Sequence, residues 1–249
     1  MDLGIAGKVA LVAGGSRGCS RGISDVLAME GARVVLTGRQ EKSVGEAVEA
    51  IGATGGTVHG IVADMTSKDG VDTILAETRK TYGDPDIPIV NAPAPFPSES
   101  GKLRGFANCL DEDYVNFFEA FVLSQVRLTR AVLPAMKAKN WGRLLNIGSI
   151  AFKVPHQEDP VPANDVRIAV VPLMRILSQE YGPYGVTANT IATGPFDSEL
   201  VAPIRPRSPR SRHRNGTRKC CRLDDGVSRS KWGGSRPSSV RARPISPEK

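Results

Sequence analysis

The sequence has few cysteines, few aromatic residues and no long apolar run, and each shortage excludes a class of protein. The four cysteines lack the paired spacing of a zinc site, so we expect free thiols in a reducing compartment. No apolar run approaches the ~20 residues that a membrane span needs, and the N-terminal stretch has no basic region followed by a long apolar segment. We therefore expect a cytoplasmic protein with no membrane partner.

The formal net charge of +7 is distributed unevenly along the chain. Residues 201–249 hold 11 Arg and 3 Lys against three acidic residues, a net charge of +11, so the first 200 residues carry −4. A nucleic-acid-binding function would therefore depend on this tail alone. Trp232 is the tail's one aromatic residue and no base-reading motif is present, which argues against nucleic acid as a partner.

The aliphatic pattern of the chain stops at Leu200. Residues 201–249 consist largely of Arg, Pro, Ser and Gly, and such a segment cannot bury enough apolar surface to offset its ordering entropy. We predict a single domain over residues 1–200 and a disordered basic tail over residues 201–249.

The first 200 residues alternate between short Val- and Ile-rich runs and segments with helical spacing. The predicted strands are residues 8–14, 33–38, 57–64, 87–92, 142–149 and 186–194. The longest predicted helix runs from about Asp111 to Asn140, and another covers about Asp165–Tyr181, where the interior Pro172 predicts a kink. This alternation indicates an α/β fold, a Rossmann-type doubly wound parallel sheet of about six strands with helices on both faces.

A glycine turn joins the first strand to the first helix. The stretch AGGSRGCS, residues 13–20, places Gly14, Gly18 and Ser20 in a G-x-x-x-G-x-S spacing. Glycines let the backbone approach a phosphate closely, and the helix that follows presents N–H groups and the positive end of its dipole. Such a turn can also be a tight turn and nothing more, but its position after the first strand favours a nucleotide site.

With this turn, about residues 5–200 resemble the short-chain dehydrogenase/reductase family, in particular its 3-oxoacyl-acyl-carrier-protein reductases. The stretch AGGSRGCSRGI is similar to the family's T-G-x-x-x-G-x-G loop, with Ala13 for Thr and Ser20 for the last Gly. We expect Ser20 to weaken binding without abolishing it, because its Cβ adds bulk while its hydroxyl can bond a phosphate oxygen. The resemblance implies dinucleotide contacts at Gly14, Ser16, Arg17, Gly18 and Ser20.

The residue after the second strand indicates which dinucleotide is bound. In the stretch LTGR, Arg39 stands where an acidic residue would bind the ribose 2′-hydroxyl of NAD. Arg17 lies within the glycine turn, and two guanidinium groups near the 2′ position favour the extra phosphate of NADP(H). Two solvated surface arginines are the alternative interpretation.

The resemblance implies further cofactor contacts after the later strands. These are expected from Asp64, Met65, Asn91, Ala92 and Ser198. Around Asn91 the family's N-N-A-G motif is only partly present, since Val90 replaces the first Asn and Pro93 replaces the Gly. Proline lacks an N–H and has a fixed φ, so the nicotinamide side of the cleft is expected to be altered.

The resemblance also implies a catalytic Ser, Tyr, Lys and Asn, and three of these four positions are changed. Ser149, at the end of the fifth predicted strand, matches the serine. Alignment back from GPYGVTANTIATG places Ala163 at the tyrosine and Arg167 at the lysine, and the long helix places Phe121 at the asparagine. Residues 152–180 contain no tyrosine, so a shift of the alignment does not restore one.

A substitute proton donor is predicted in the stretch AFKVPHQEDPVPAND. His156 is the best candidate by pKa, with an ordinary surface position as the alternative. Weaker candidates are Glu158, Asp159 and Asp165. Arg167 keeps a positive charge near the ribose but cannot donate a proton at neutral pH, because its pKa lies above ~12. The candidate catalytic residues are therefore Ser149, Arg167 and His156, with no metal site.

Three functions are compatible with these features. The first is an NADP(H)-dependent reductase acting on a carbonyl, such as a 3-oxoacyl thioester or another small-molecule ketone. The second is a nucleotide-binding pseudoenzyme or a non-redox member of the same fold, and the third, least favoured, is a nucleic-acid binder. The fold favours the first and the altered site favours the second.

The family normally continues after the sixth strand with a lid, a helix and a seventh strand. Nothing in residues 201–249 is similar to these, and an abrupt change of composition is what a shifted reading frame or a replaced exon would produce. We expect the missing strand to expose a sheet edge and to weaken any homo-oligomer.

Overall fold

Strands and helices alternate along the chain and build one parallel sheet. The computed structural model describes residues 3–91, 106–154 and 161–194, which lie within one compact unit, Met1–Pro206. The strands are β1 (Val9–Ala13), β2 (Arg33–Gly38), β3 (Val58–Val62), β4 (Ile87–Val90), β5 (Gly142–Ser149) and β6 (Val186–Thr193). The predicted tail, residues 201–249, lies outside the described residues.

Seven α-helices connect and cover these strands within the described ranges. They are α1 (Gly18–Met29), α2 (Glu41–Ala53), α3 (Lys68–Tyr82), α4 (Asp111–Phe118), α5 (Ser124–Lys139), α6 (Val161–Arg167) and α7 (Val170–Tyr181). Short 3₁₀ turns lie at Phe106–Asn108, Ile150–Phe152 and Gly182–Tyr184. No helix in these ranges has both the length and the apolar character that crossing a membrane requires.

The sheet confirms the predicted Rossmann-type architecture. Its six strands lie in the order β3-β2-β1-β4-β5-β6, and every neighbouring pair is parallel. The chain therefore starts in the middle of the sheet, builds one half, and crosses over to build the other. Successive strands are added on one side of β1 and then on the other, so the strand order reverses between β1 and β4. Ala13 pairs with Val90 at this point, and a crevice for a ligand forms beyond the carboxyl ends of these two strands.

Strand β1 shows why the apolar runs of this sequence become buried strands. All of its residues are buried, and they alternate between two apolar clusters. Leu11 and Ala13 belong to the cluster that contains residues of α3, α5 and α7, whereas Ala10 and Val12 belong to the cluster with residues of α1 and α2. Successive side chains of a strand point to opposite faces, so both faces of the sheet are covered.

The long predicted helix is present, with one irregular turn. α4 and α5 are joined by a π-helical turn, Glu119–Leu123, and Asn140 ends the helix in the left-handed conformation with φ 49°. Phe121 lies in the π-helical turn and is buried. π-Helical turns inside α-helices occur frequently at functional sites.

The structure corrects the predicted kink at Pro172. Residues 161–181 form two helices, α6 and α7, and the break falls at Ile168 and Ala169, ahead of the proline. Pro172 lies in the first turn of α7, where a backbone N–H has no acceptor within the helix. It therefore removes no hydrogen bond from the helix.

Pro134 and Pro172 form a matched pair that tests this placement. Both are exposed, but Pro134 lies in the interior of α5. We expect Pro134→Ala to raise the free energy of unfolding by about 1–2 kcal/mol, because an interior proline removes a helix hydrogen bond. Pro172→Ala should lower it by up to about 1 kcal/mol, because a proline at a compatible position restricts the unfolded chain. Urea unfolding measures both, and a gain in stability for Pro172→Ala would contradict the first-turn placement.

Candidate functional site

The glycine turn adopts a backbone conformation that requires glycine. Gly14 and Gly18 have φ values of +77° and +61°, in the left-handed region that other residues disfavour. A Cβ on Gly14 would lie 2.5 Å from the carbonyl oxygen of Asn91. The end of β4 therefore packs directly against the backbone of the turn.

The glycine turn is also attached to the end of β2. The backbone N–H of Gly14 donates a hydrogen bond to Thr37 Oγ1 at 3.0 Å. Ser16 is buried, and a Cβ on Gly38 would collide with its Oγ. These contacts bring Arg17, in the turn, and Arg39, which follows β2, to the same edge of the sheet.

The N-terminus of α1 has the features of an anion site. Its N-cap residue, Arg17, is extended, no side chain caps the helix, and its first turn contains no acidic residue. In contrast, α3 is capped by Ser67, whose Oγ accepts a hydrogen bond from Gly70 N at 3.0 Å. Because uncapped N–H groups and the helix dipole both attract negative charge, this end of α1 fits a phosphate.

Arg17 lies within the glycine turn, and Arg39 directly follows β2. Both side chains are exposed, and neither forms an ion pair with a carboxylate of the described residues. Two guanidinium groups without a carboxylate partner can bind a phosphate through charge-assisted hydrogen bonds.

Ser20 lies between the glycine turn and the end of β4. The residue is fully buried, and Asn91 Nδ2 donates a hydrogen bond to its Oγ at 2.7 Å. Asn91 Nδ2 also lies 3.6 Å from Cys19 Sγ, and its backbone N–H donates to Ala13 O at 3.2 Å. The hydroxyl of Ser20 therefore links the glycine turn to the end of β4 instead of facing a phosphate at the surface of the turn.

Asp64 and Met65, which follow β3, have side chains that make contacts within the protein. Asp64 Oδ1 accepts hydrogen bonds from the backbone N–H and the hydroxyl of Thr66, at 2.9 and 2.7 Å. The side chain of Met65 is buried in the apolar core. An adenine contact at Met65 would therefore use its backbone, while Asp64 has a second carboxylate oxygen to offer. Ala92 and Ser198 lie outside the described residues.

Ser149 and Arg167 meet in one cleft at the carboxyl end of β5. This Ser149 cleft is lined by Gly148, Ser149, Phe152, Asn164, Arg167 and Val171. Ser149 Oγ accepts a hydrogen bond from Ala151 N at 3.2 Å.

Ala163 and Phe121, two of the positions where the resemblance implies a changed residue, are buried apolar side chains. Ala163 and Phe121 are 4% and 5% exposed and belong to the same apolar cluster. The guanidinium carbon of Arg167 lies 4.2 Å from the centroid of the Phe121 ring, a cation–π contact. Phe121 and Arg167, two of the three changed residues, are therefore in direct contact. Comparing the sequence with the family one position at a time did not reveal this contact.

Of the predicted substitute proton donors, Asp165 is the one that lies among the described residues. His156, Glu158 and Asp159 lie outside the described residues. Asp165 is exposed and accepts a hydrogen bond from the hydroxyl of Tyr114 at 3.1 Å, which links α6 to α4. Burial, together with the hydrogen bond and charge of Asp165, raises the pKa of Tyr114.

Sequence reasoning did not identify Asn164 as a residue of the Ser149 cleft. It lies one turn before Arg167 on α6, and both residues line the cleft. The only signal available was the i, i+3 spacing, which places two side chains on one face of a helix.

The hydrogen bond between Ser20 and Asn91 is testable by a double-mutant cycle. We expect Ser20→Ala to lower the free energy of unfolding by about 1–2 kcal/mol, because the Asn91 amide loses its buried acceptor. Combining it with Asn91→Ala should cost less than the sum of the two single changes. Ser178→Ala, at a half-buried serine of α7, is the control. Strictly additive losses would show that the bond contributes nothing.

The comparisons with known proteins agree with this geometry. Residues 8–209 match the short chain dehydrogenase family. The chain is 33% identical over 202 residues to the "Uncharacterized oxidoreductase YvrD" of Bacillus subtilis, covering 81% of this chain and 73% of the relative. It is 31% identical over 197 residues to the 3-oxoacyl-[acyl-carrier-protein] reductase FabG of Haemophilus influenzae, covering 78% and 76%.

Among solved structures, the L-sorbose reductase from Gluconobacter frateurii in complex with NADPH and L-sorbose superposes with a TM-score of 0.73 at 29% identity. The superposition covers 80% of this chain and 73% of that one. The family match spans most of the chain and confirms the resemblance read from the motifs. The chain belongs to the short-chain dehydrogenase family of oxidoreductases.

Proposed function

We propose that the protein is an NADP(H)-dependent reductase that converts a carbonyl to an alcohol with a non-standard catalytic site. One observation carries this proposal. Ser149 opens into a cleft at the same edge of the sheet as the glycine turn, since β4 alone separates β1 from β5. A nucleotide held at the turn and a carbonyl held at Ser149 are thereby placed along one crevice. A cytoplasmic location is part of the proposal.

The residues around the turn fit the phosphates of NADP(H). The backbone of Gly14 and Gly18 and the uncapped N-terminus of α1 would hold the pyrophosphate. Arg17 and Arg39 would hold the 2′-phosphate. Asp64, Met65 and Asn91 would border the adenine and nicotinamide ends, together with Ala92 and Ser198. When bound, the reduced nicotinamide supplies a hydride to the carbonyl carbon.

The side chains of the Ser149 cleft would stabilise the charge that develops on the carbonyl oxygen. Ser149 Oγ accepts a hydrogen bond from Ala151 N, so the hydroxyl hydrogen is left to donate to that oxygen. Arg167 adds a positive charge in the same cleft. The oxygen then takes a proton from water or from His156, because Ala163 has none to give and Arg167 keeps its own at neutral pH.

A second candidate function is nucleotide binding without redox turnover. It is favoured by the burial of Ala163 and Phe121, which places apolar surface where the family has a proton donor and its supporting amide. General acid catalysis contributes about 10²–10⁴-fold to a rate, and its loss leaves the binding half of the site intact. The two candidates therefore differ in turnover and agree in NADPH binding.

The cofactor preference is tested by NADPH and NADH binding, followed by nucleotide fluorescence. We expect the unmodified protein to prefer NADPH, and Arg39→Asp to weaken NADPH binding about 10- to 100-fold while NADH binding changes little, because charge-assisted bonds to the 2′-phosphate are lost. Arg130→Gln, at an exposed arginine of α5, controls for the change in net charge. Equal affinity for both nucleotides would overturn the assignment of Arg17 and Arg39.

Turnover is tested by NADPH absorbance with a 3-oxoacyl thioester and with L-sorbose as ketone substrates. We expect slow turnover that Ser149→Ala lowers by about 10²-fold in kcat/KM, and Ser178→Ala should leave it unchanged. The triple variant Phe121→Asn/Ala163→Tyr/Arg167→Lys restores the family's residues and should raise kcat by about 10²–10⁴-fold. NADPH binding without any turnover by the unmodified protein would contradict the reductase and favour the second candidate.

A further inference from the structure

Strand β6 forms one edge of the sheet that the described residues build. It pairs with β5 over its whole length, Val186–Thr193, and no second strand of the described residues pairs with it. Successive residues of a strand direct their backbone N–H and C=O groups to opposite sides. Every second residue of β6 therefore presents these groups away from β5, and such a row is a template for another extended strand.

The side chains of β6 leave this edge accessible. Val186 and Ala188 are buried on the face that α7 covers, whereas Thr187, Asn189 and Ile191 point to the opposite face and are exposed. Ile191 is 47% exposed although it is apolar. On that opposite face, α1 and α2 pack against β1, β2 and β3, in the other half of the sheet. The exposed row of β6 is therefore open to a partner strand.

The features that usually protect a sheet edge are missing from β6. Natural edge strands are kept short, or they contain lysine, proline or a bulge. β6 is eight residues long, and its register with β5 is continuous, without a bulge. Residues 182–194 contain no charged side chain, and their one proline, Pro183, precedes the strand. The opposite edge of the sheet, β3, has five residues and contains Gly60, so it is a poorer template.

A second copy of β6 is the partner strand that fits these features. Antiparallel pairing of two identical strands about a two-fold axis uses each β6 edge once, so the assembly closes at a dimer. The registers with the largest overlap are centred on Asn189 or Thr190, and they oppose only uncharged side chains. A charged segment such as the Arg-rich residues 201–249 would gain no ion pair on this strand.

We propose that the β6 edge is a docking surface for a second copy of this chain, with the two β6 strands antiparallel and the two sheets continuous across the axis. The proposal is independent of the reaction, because the oligomeric state is measured without cofactor or substrate. The lack of a seventh strand predicts a weakened homo-oligomer, and this pairing would compensate for that loss. It would also cover an edge that otherwise favours aggregation.

The proposal is tested on the unmodified full chain by light scattering and by hydrogen exchange at several protein concentrations. Because one strand pair is a small interface, we expect the mass to rise from monomer to dimer with a dissociation constant of about 1–100 µM. The outward-facing amides of β6 should exchange about 10-fold more slowly in the dimer. The amides of β5, inside the sheet, and of β3, at the other edge, should not respond to concentration and serve as internal references.

A matched pair of asparagine substitutions locates the interface. Asn189→Lys places two lysines opposite or diagonal to each other across the two-fold axis, and we expect the dissociation constant to rise by about 10-fold or more. Asn116→Lys, at an exposed asparagine of α4, makes the same change in charge and should leave the dimer intact. Since α4 also exposes Val115 and Phe118, this control tests a second exposed apolar surface at the same time.

A monomer at all of these concentrations would overturn the proposal. Protection of the β6 amides that is independent of concentration would also overturn it, in favour of a segment of the same chain on this edge. Dissociation by Asn116→Lys but not by Asn189→Lys would place the interface at α4, and masses beyond the dimer would contradict the closed pairing. The exchange measurement uses the unmodified protein, so it decides the question even where Asn189→Lys fails to fold.

Discussion

The close packing of β4 against the glycine turn is the constraint on which the rest of the site depends. The carbonyl of Asn91 occupies the space that a Cβ on Gly14 would fill, and the side chain of Asn91 reaches Ser20 at 2.7 Å. These contacts exist because β1 and β4 are parallel neighbours at the point where the strand order reverses. They hold the N-terminus of α1 at the mouth of the crevice, where its dipole and N–H groups attract an anion.

The nucleotide half and the catalytic half of the proposed site depend on different kinds of groups, backbone atoms in the first and side chains in the second. The nucleotide half is built mainly from backbone, namely positive-φ glycines and an uncapped helix, so substitutions such as Ser20 are accommodated by a new hydrogen bond. The catalytic half depends on particular side chains at the ends of β5 and α6. If Ala163 stands at the family's tyrosine, as the resemblance implies, no adjustment of the backbone replaces the proton donor.

The sequence predicts the local features of this protein and misses those that depend on tertiary contacts. The strands and the glycine turn follow from short-range periodicity and glycine spacing, and the structure has them. The burial of Ser20 depends on Asn91, a partner from another strand, and the stacking of Arg167 on Phe121 joins α6 to the π-helical turn. Likewise, the continuous apolar spacing across residues 165–181 predicts one kinked helix. In the structure the helix is interrupted before Pro172, and the proline lies in the first turn of α7.

The contact between Phe121 and Arg167 changes what the cleft can select. Where the resemblance implies a proton donor, an amide and an ammonium group, this chain has Ala163, Phe121 and Arg167, and the guanidinium of Arg167 lies against the buried ring of Phe121. A charge beside low-dielectric surface interacts more strongly with a ligand than an exposed charge such as Arg39, because less water screens it. The stacked guanidinium and the buried apolar wall arise from tertiary contacts between α6 and the π-helical turn, so they shape the cleft whichever of the two proposed functions holds.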